Sequence, residues 1–273
     1  MNAVRDLVEA HLPGYVVTSV VRLGSGLDNV AYEVNGELIV RFGKGADADR
    51  EARLLTAVRS ISPLPVPEPR FTDAGCLAYP KLPGVPLLEA PTVDGVRVAA
   101  VLGELLAALH AAPVERMARL VDADELALAD WRREAVETYA AIAGQVPAEF
   151  RRRIEAFLEA APPHDAEALV FSHNDLGIEH VLVDPGTGAV TGVIDWSDAA
   201  LVDPAFDFGL IHRDLGPAAL AAAMRAYGSS DVEQRAVFYA RCAVFEDLAY
   251  GVETGRGAYV TKSLTALAWL FPP

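Results

Sequence analysis

Asp175 and His180 stand five residues apart in the polar run Ser172-His173-Asn174-Asp175-Leu176-Gly177-Ile178-Glu179-His180, and Asp195 follows in Val193-Ile194-Asp195-Trp196-Ser197-Asp198. Two carboxylates and an imidazole brought to one point suit a divalent metal with a general base beside it. The alternative is a surface hairpin with solvated carboxylates. Convergence requires elements that fold the two runs together, and the intervening residues supply them. Leu169-Val170-Phe171 leads in, Val181-Leu182-Val183 leads out, Asp184-Pro185-Gly186-Thr187-Gly188 turns the chain, and Val190-Thr191-Gly192-Val193-Ile194 returns. Two short β-branched runs about such a turn predict a hairpin, which sets Asp175 and His180 near Asp195.

This stretch resembles the aminoglycoside phosphotransferase family, which has the protein-kinase-like fold. That family carries a His-x-Asp loop, a metal ligand five residues after the Asp, and a second metal-binding Asp in an Ile-Asp run. The resemblance implies that Asp175 is the catalytic base for a substrate hydroxyl, with His180 and Asp195 as the ligands of Mg²⁺. His180 departs from the Asn found in most relatives, though some aminoglycoside and macrolide kinases also have His there.

Earlier parts of the chain follow the same order. Val20 to Leu23 ends a Val-rich strand expected over residues 15–23, and Gly24-Ser25-Gly26 follows it. Val30 to Val34 and Glu37 to Phe42 then flank Asn35-Gly36, a strong two-residue hairpin signal. A glycine turn between strands can lay backbone N–H groups over triphosphate oxygens. In the family a Lys or Arg at the end of the third strand contacts phosphate, and Arg41 matches it. Glu51, in a helix expected over residues 49–58, is placed to pair with Arg41. The Pro/Gly-rich run from Pro80 to Leu87 resembles the family's inter-lobe linker, whose backbone takes the edge of adenine or guanine. Tyr79, Pro80, Lys81 and Leu82 are the matching residues. The segment between, Ser62-Pro63-Leu64-Pro65-Val66-Pro67-Glu68-Pro69, is expected to be extended.

The expected fold is therefore α+β and bilobal, with a small β-rich nucleotide-binding lobe over residues 1–80. A larger, mostly helical catalytic and substrate-binding lobe is expected over residues 81–273. Helices are expected over residues 2–11, 96–110, 126–143, 147–158, 217–226, 231–254 and 262–270. Val98, Val101, Leu102, Leu105, Leu106 and Leu109 form the apolar stripe of the 96–110 helix. Asp203-Pro204 reads as a helix start, and by resemblance Asp207 braces the catalytic loop.

The 273 residues carry a net charge of −15. Residues 1–80 hold 8 Lys+Arg against 10 Asp+Glu, and residues 81–273 hold 15 against 28. An acidic second part disfavours nucleic acid or an anionic membrane and favours a cationic small molecule. Asp198, Asp214, Glu246, Asp247 and Glu253 are candidates to meet its ammonium groups; solvation is the competing account of that acidity. Cys76 and Cys242 are too few for a disulfide framework or a cysteine zinc site. No apolar run is long enough for a bilayer, and Arg5, Asp6 and Glu9 interrupt any secretory core, so a cytoplasmic location is expected.

The activity implied is Mg²⁺-dependent transfer of the γ-phosphoryl group of ATP or GTP to a hydroxyl of a cationic antibiotic, aminoglycoside in type. Alternatives within the class are a macrolide or an amino-alcohol or sugar metabolite. The alternative from another class is a nucleotide-binding pseudokinase acting as a scaffold.

Overall fold

The computed structural model describes residues 1–25, 29–43, 47–73 and 75–272. Helix α1 (Asn2–His11) precedes strands β1 (Val20–Ser25), β2 (Asn29–Val34) and β3 (Leu38–Gly43), then α2 (Ala48–Arg59), β4 (Phe71–Asp73) and β5 (Cys76–Pro80). The five strands form one antiparallel sheet in the order β1-β2-β3-β5-β4. Asn35 and Gly36 both take positive φ, 55° and 77°, the backbone that a twisted two-residue hairpin needs and that Asn and Gly adopt at least cost.

The expected first strand is shorter than its Val content predicted. Asn35 Oδ1 accepts from the backbone N–H groups of Thr18 and Ser19 and from the Thr18 hydroxyl, while Asn35 Nδ2 donates to Val16 O. Those bonds replace ladder pairing over residues 16–19, so β1 starts only at Val20. Helix α2 begins where Asp47 accepts from the Asp49 and Arg50 N–H groups at 3.0 Å, a side-chain cap for donors that otherwise have no partner. It buries Leu54, Leu55 and Val58 as expected.

The rest of the chain is helical around two small sheets. It comprises β6 (Val85–Pro86), α3 (Gly95–His110), α4 (Val114–Met117), α5 (Leu128–Ile142) and α6 (Ala148–Glu159). Then come β7 (Val170–Ser172), β8 (Val181–Val183), β9 (Val190–Val193), β10 (Ala200–Val202), α7 (Phe206–Leu215), α8 (Pro217–Tyr227), α9 (Glu233–Thr254) and α10 (Gly257–Leu270). The hairpin exists as predicted: β8 and β9 pair with Val181 opposite Val193, and β6 adds a third strand to β8. Asp184 Oδ1 accepts from Gly186 and Thr187 N–H and so closes its turn. Helix α10 starts five residues before its expected start, just after Gly255 ends α9 in the left-handed conformation. Helix α7 starts later than Asp203-Pro204 suggested, with Ala205 as its N-cap and no side-chain cap: Asp203 Oδ1 accepts from Ala205 N–H, and its carboxylate is held by Arg235 and the Tyr239 hydroxyl.

One continuous core runs from α2 and Leu77 of β5 through α3 to α10, and a second, smaller one lies between α1 and the sheet. Among the described residues no helix is long and apolar enough to cross a membrane. At the contact between α3 and α8, a Cβ on Gly103 would lie 2.2 Å from Ala223 O. Alanine is the better helix former by about 1 kcal/mol, but backbone cannot yield as a side chain can. Gly103→Ala should therefore destabilise the protein by about 2 kcal/mol through overpacking, read as a lower urea midpoint at unchanged m-value; an unchanged midpoint would show that the two helices separate freely.

Candidate active site

The chain from β7 to β8 is a loop whose backbone is fixed from beneath by α7. Asp207, buried in the first turn of α7, accepts from Ser172 Oγ at 2.5 Å, from Asn174 N–H at 2.9 Å and from Leu176 N–H at 3.0 Å. These bonds hold Asn174 at φ 63°, a conformation non-glycine residues seldom take without support. His173 is buried against Trp196 and its Nε2 donates to Ile194 O at 3.0 Å. Burial pushes its pKa down to about 4, so it sits as a neutral strut between the loop and the end of β9.

The loop and hairpin bring Asp175, His180 and Asp195 together. His180 Nδ1 lies 2.8 Å from Asp175 O and 3.3 Å from Asp175 Oδ2. A carbonyl oxygen only accepts, so Nδ1 carries a proton, and Nε2 faces Asp195 Oδ2, 3.8 Å away. A proton or a metal ion on Nε2 would be attracted by that carboxylate. Burial opposes a proton on His180, but Asp175, Glu179 and Asp195 outweigh it and raise its pKa. A metal can take the same position: two bonds of about 2.1 Å to one Mg²⁺ span up to about 4.2 Å. Among the described residues no three His, Cys, Asp or Glu side chains form a ready metal cage. A pair of protein ligands fits Mg²⁺, which usually completes its shell with water and phosphate oxygens.

Asp175 keeps 38% of its side chain exposed. Burial of the rest, opposed by His180 and Arg213 but reinforced by Glu179 and Asp198, pushes its pKa up to about 7, in the range that suits a general base. Asp195 has φ 61° and behaves oppositely. Burial would raise its pKa, yet Arg41 and His180 hold it below the ordinary carboxylate range. Arg41 on β3 bridges Asp195 Oδ1 and Glu51 Oε1, each at 2.5 Å. Arg41 thus meets Glu51 as read from the sequence, and also a hairpin residue 154 positions away, which no local pattern announced.

The remaining nucleotide-side residues are placed as follows. Gly24 and Ser25 end β1, paired with Ala31 and Val30; Gly26 lies outside the described residues. Tyr79 and Pro80 pair with Ile39 and Leu38. Lys81 gives its backbone N–H to Glu37 O at 2.8 Å and its ammonium to Glu33 at 2.5 Å, so its N–H is already engaged in the sheet. Leu82 packs against Gly192 of β9, where a Cβ would come within 2.6 Å of Leu82 Cδ1.

The acidic candidates divide. Asp198 and Glu246 are exposed, as is Glu253 in the last turn of α9. Asp198 is joined to the loop through its carbonyl, which accepts from Asn174 Nδ2 at 3.0 Å. Asp214 and Asp247 are instead interior. Arg213 makes a two-pronged contact with Asp214 at 2.7 and 2.9 Å, and Lys262 Nζ lies 3.0 Å from Asp247 Oδ2 and 3.4 Å from Asp214 Oδ1. Both carboxylates already have cationic partners. Sequence reading missed Arg213 and Lys262, whose helices carry no local signal that they meet here.

A five-stranded antiparallel lobe whose Arg–Glu pair reaches a loop-and-hairpin bearing Asp175, His180 and Asp195 has the architecture of the kinase-like phosphotransferases. The match to that class extends along the sequence: the chain belongs to the phosphotransferase enzyme family, whose model matches residues 19–239. It is 32% identical over 201 residues to an aminoglycoside 3'-phosphotransferase of Streptomyces fradiae, covering 64% of this chain and 71% of that one. It is 30% identical over 247 residues to the viomycin phosphotransferase of Streptomyces vinaceus, covering 83% and 84%. In fold it is similar to the GDP and kanamycin complex of APH(2"), with a TM-score of 0.75 at 22% identity over 98% of this chain and 97% of that one.

Proposed function

We propose that the chain is a Mg²⁺-dependent small-molecule kinase. It transfers the γ-phosphoryl group of ATP or GTP to a hydroxyl of a cationic antibiotic, of the aminoglycoside class. The observation that carries this reading is the placing of Asp175, with its pKa near 7, beside the His180–Asp195 pair and the Arg41–Glu51 bridge. Curated relatives that phosphorylate aminoglycosides and viomycin support the acceptor class. The proposed lobes are residues 1–80 for the nucleotide and 81–273 for catalysis and acceptor.

In this mechanism Asp175 orients the acceptor hydroxyl and takes its proton, while Asp207 keeps the loop in register beneath it. Mg²⁺, when bound by His180 Nε2 and Asp195, would neutralise charge on the phosphate oxygens. Arg41 steadies the phosphates from β3, held in place by Glu51, and Gly24 and Ser25 at the end of β1 would lie over them. Residues 79–82 lie along the base, with Leu82 as the candidate backbone donor, given that Pro80 has no N–H and Lys81 has committed its own. Asp198, Glu246 and Glu253 are exposed acidic groups that would face acceptor ammonium groups. Most of the acceleration then comes from positioning and electrostatics.

The direct test is a phosphate-transfer assay with ATP and GTP against kanamycin, viomycin and a macrolide, with and without Mg²⁺. Mg²⁺-dependent phosphorylation of one of them is expected; nucleotide binding with no transfer to any acceptor and no hydrolysis would favour a scaffold.

Two further results are expected. Arg41→Met should raise the nucleotide KM by roughly tenfold to a hundredfold, the loss of one charge-assisted contact of about 1.5–3 kcal/mol, with little change in the acceptor KM. Equal effects on both would move Arg41 out of the phosphate site. For His180, a proton and a metal compete for Nε2 and its pKa is raised. The Mg²⁺ concentration for half-maximal binding, read by calorimetry with ADP or GDP, should therefore rise as pH falls through the histidine range. In His180→Asn that dependence should flatten; if it persists unchanged, another group governs metal binding.

A further inference from the structure

Residues 177–180 form a turn closed by His180 N–H donating to Gly177 O at 3.0 Å. The turn sits between the proposed base and the proposed metal ligand, so its placement sets both. It is held from three sides. Ile178 O accepts from Leu88 N–H at 3.2 Å, Ile178 N–H donates to Asp214 Oδ2 on α7 at 3.2 Å, and Glu179 Oε2 accepts from Lys262 Nζ on α10 at 3.0 Å. Gly177 makes the third contact possible: a Cβ there would lie 2.7 Å from the Glu179 carboxylate, which folds back over it.

Lys262 is the centre of this arrangement. Its side chain is 8% exposed and meets three carboxylates on three different segments: Glu179 in the loop, Asp214 on α7 and Asp247 on α9. Its ammonium also lies 4.8 Å from the centre of the Tyr259 ring. Asp214 and Asp247 also face Arg213, so each keeps a cationic neighbour without Lys262, although one guanidinium offsets only one of the two charges. No cation other than Lys262 forms an ion pair with Glu179 among the described residues. Removal of the ammonium would therefore release the loop carboxylate first.

We propose that Lys262 is a positioning residue for phosphoryl transfer: from the last helix it holds Glu179, and through the 177–180 turn it fixes Asp175 and His180 relative to each other. The proposal rests on the kinase reading for its chemistry, but the tether itself is a statement about the fold. Lys262 touches neither reacting group, and its effect is transmitted through one side chain and one turn. A displacement of the turn by about an ångström is enough to cost roughly tenfold to a hundredfold in turnover.

The test uses the full chain with Lys262→Met, Lys262→Arg and the double variant Lys262→Met/Glu179→Gln, which removes both charges of the tether together. Turnover is read as transfer to kanamycin and as slow hydrolysis of ATP or GTP to water. The loop is read by hydrogen exchange over residues 174–182, and the fold by its urea midpoint. Lys262→Met should lower kcat at least tenfold with little change in nucleotide KM and should speed exchange over residues 177–180. Lys262→Arg should recover much of both. The double variant should recover part of the midpoint, because the net charge of the cluster returns to its native value, but neither kcat nor exchange protection. Recovery of kcat together with the midpoint would overturn the proposal and leave Lys262 a purely stabilising residue, as would native exchange in Lys262→Met. If the native chain transfers phosphate to none of kanamycin, viomycin, a macrolide and water, the kinase reading fails, and the exchange comparison alone decides the tether.

Discussion

Asp175→Asn should leave nucleotide binding intact and lower phosphoryl transfer by a factor of roughly 10² or more. The substitution keeps the size of the side chain and one acceptor oxygen, so the His180 Nδ1 bond to Asp175 O and the Asp207 clamp below survive. What is lost is the capacity to take a proton. In the native chain burial lifts the Asp175 pKa to about 7, and the base works only when ionised. Acceptor kcat/KM should consequently be full above pH 8, halved near pH 7, and fall about tenfold per unit further down. The residual activity of Asp175→Asn should lack that limb. Near-native turnover, or a residual rate with the same pH limb, would remove Asp175 from proton transfer.

Asp207→Ala should have the largest effect on stability of any single change near the site. It strips the partner from the Asn174 and Leu176 N–H groups, both at 3.0 Å or less, while Ser172 Oγ keeps His110 Nε2 at 3.1 Å. Each orphaned donor costs about 1–3 kcal/mol, and the two do not add fully because the loop relaxes, so about 2–4 kcal/mol is expected. Turnover should fall by roughly 10² even at temperatures where the variant is folded, since Asn174 would no longer be kept at positive φ. Asp207→Asn, retaining an acceptor oxygen, should sit between. A denaturation midpoint within error of native for Asp207→Ala would show that the loop holds itself.

The sequence made legible whatever is encoded by neighbours. Asn35-Gly36 and the β8–β9 hairpin follow from turn chemistry within a few residues, and each is where it was expected. The Arg41–Glu51 contact was readable through the resemblance to kinases, whose strand Lys pairs with a helix Glu. The start of β1 was misread because Asn35, 16 residues or more away, supplies side-chain bonds that outcompete the ladder. Asp214 and Asp247 looked available to a ligand because composition counts charge without location. Their cations come from α7 and from α10, and only the packing of α7, α9 and α10 brings them within reach. Long-range pairing of this kind leaves no local periodicity to detect.

Helix α2 carries Glu51, yet its apolar face lies in the same core as the large helices, and Arg50 Nε donates to Leu120 O at 2.8 Å. The outer sheet has its own small core with α1. Helix α2 is therefore fastened on both sides, to the body through Leu120 and to the sheet through Leu77 of β5 and the Thr72 hydroxyl, which donates to Asp49. Any displacement of the sheet relative to the hairpin would pull on Asp195 through Arg41, so the Arg41–Asp195 contact is the link such a movement would have to lengthen.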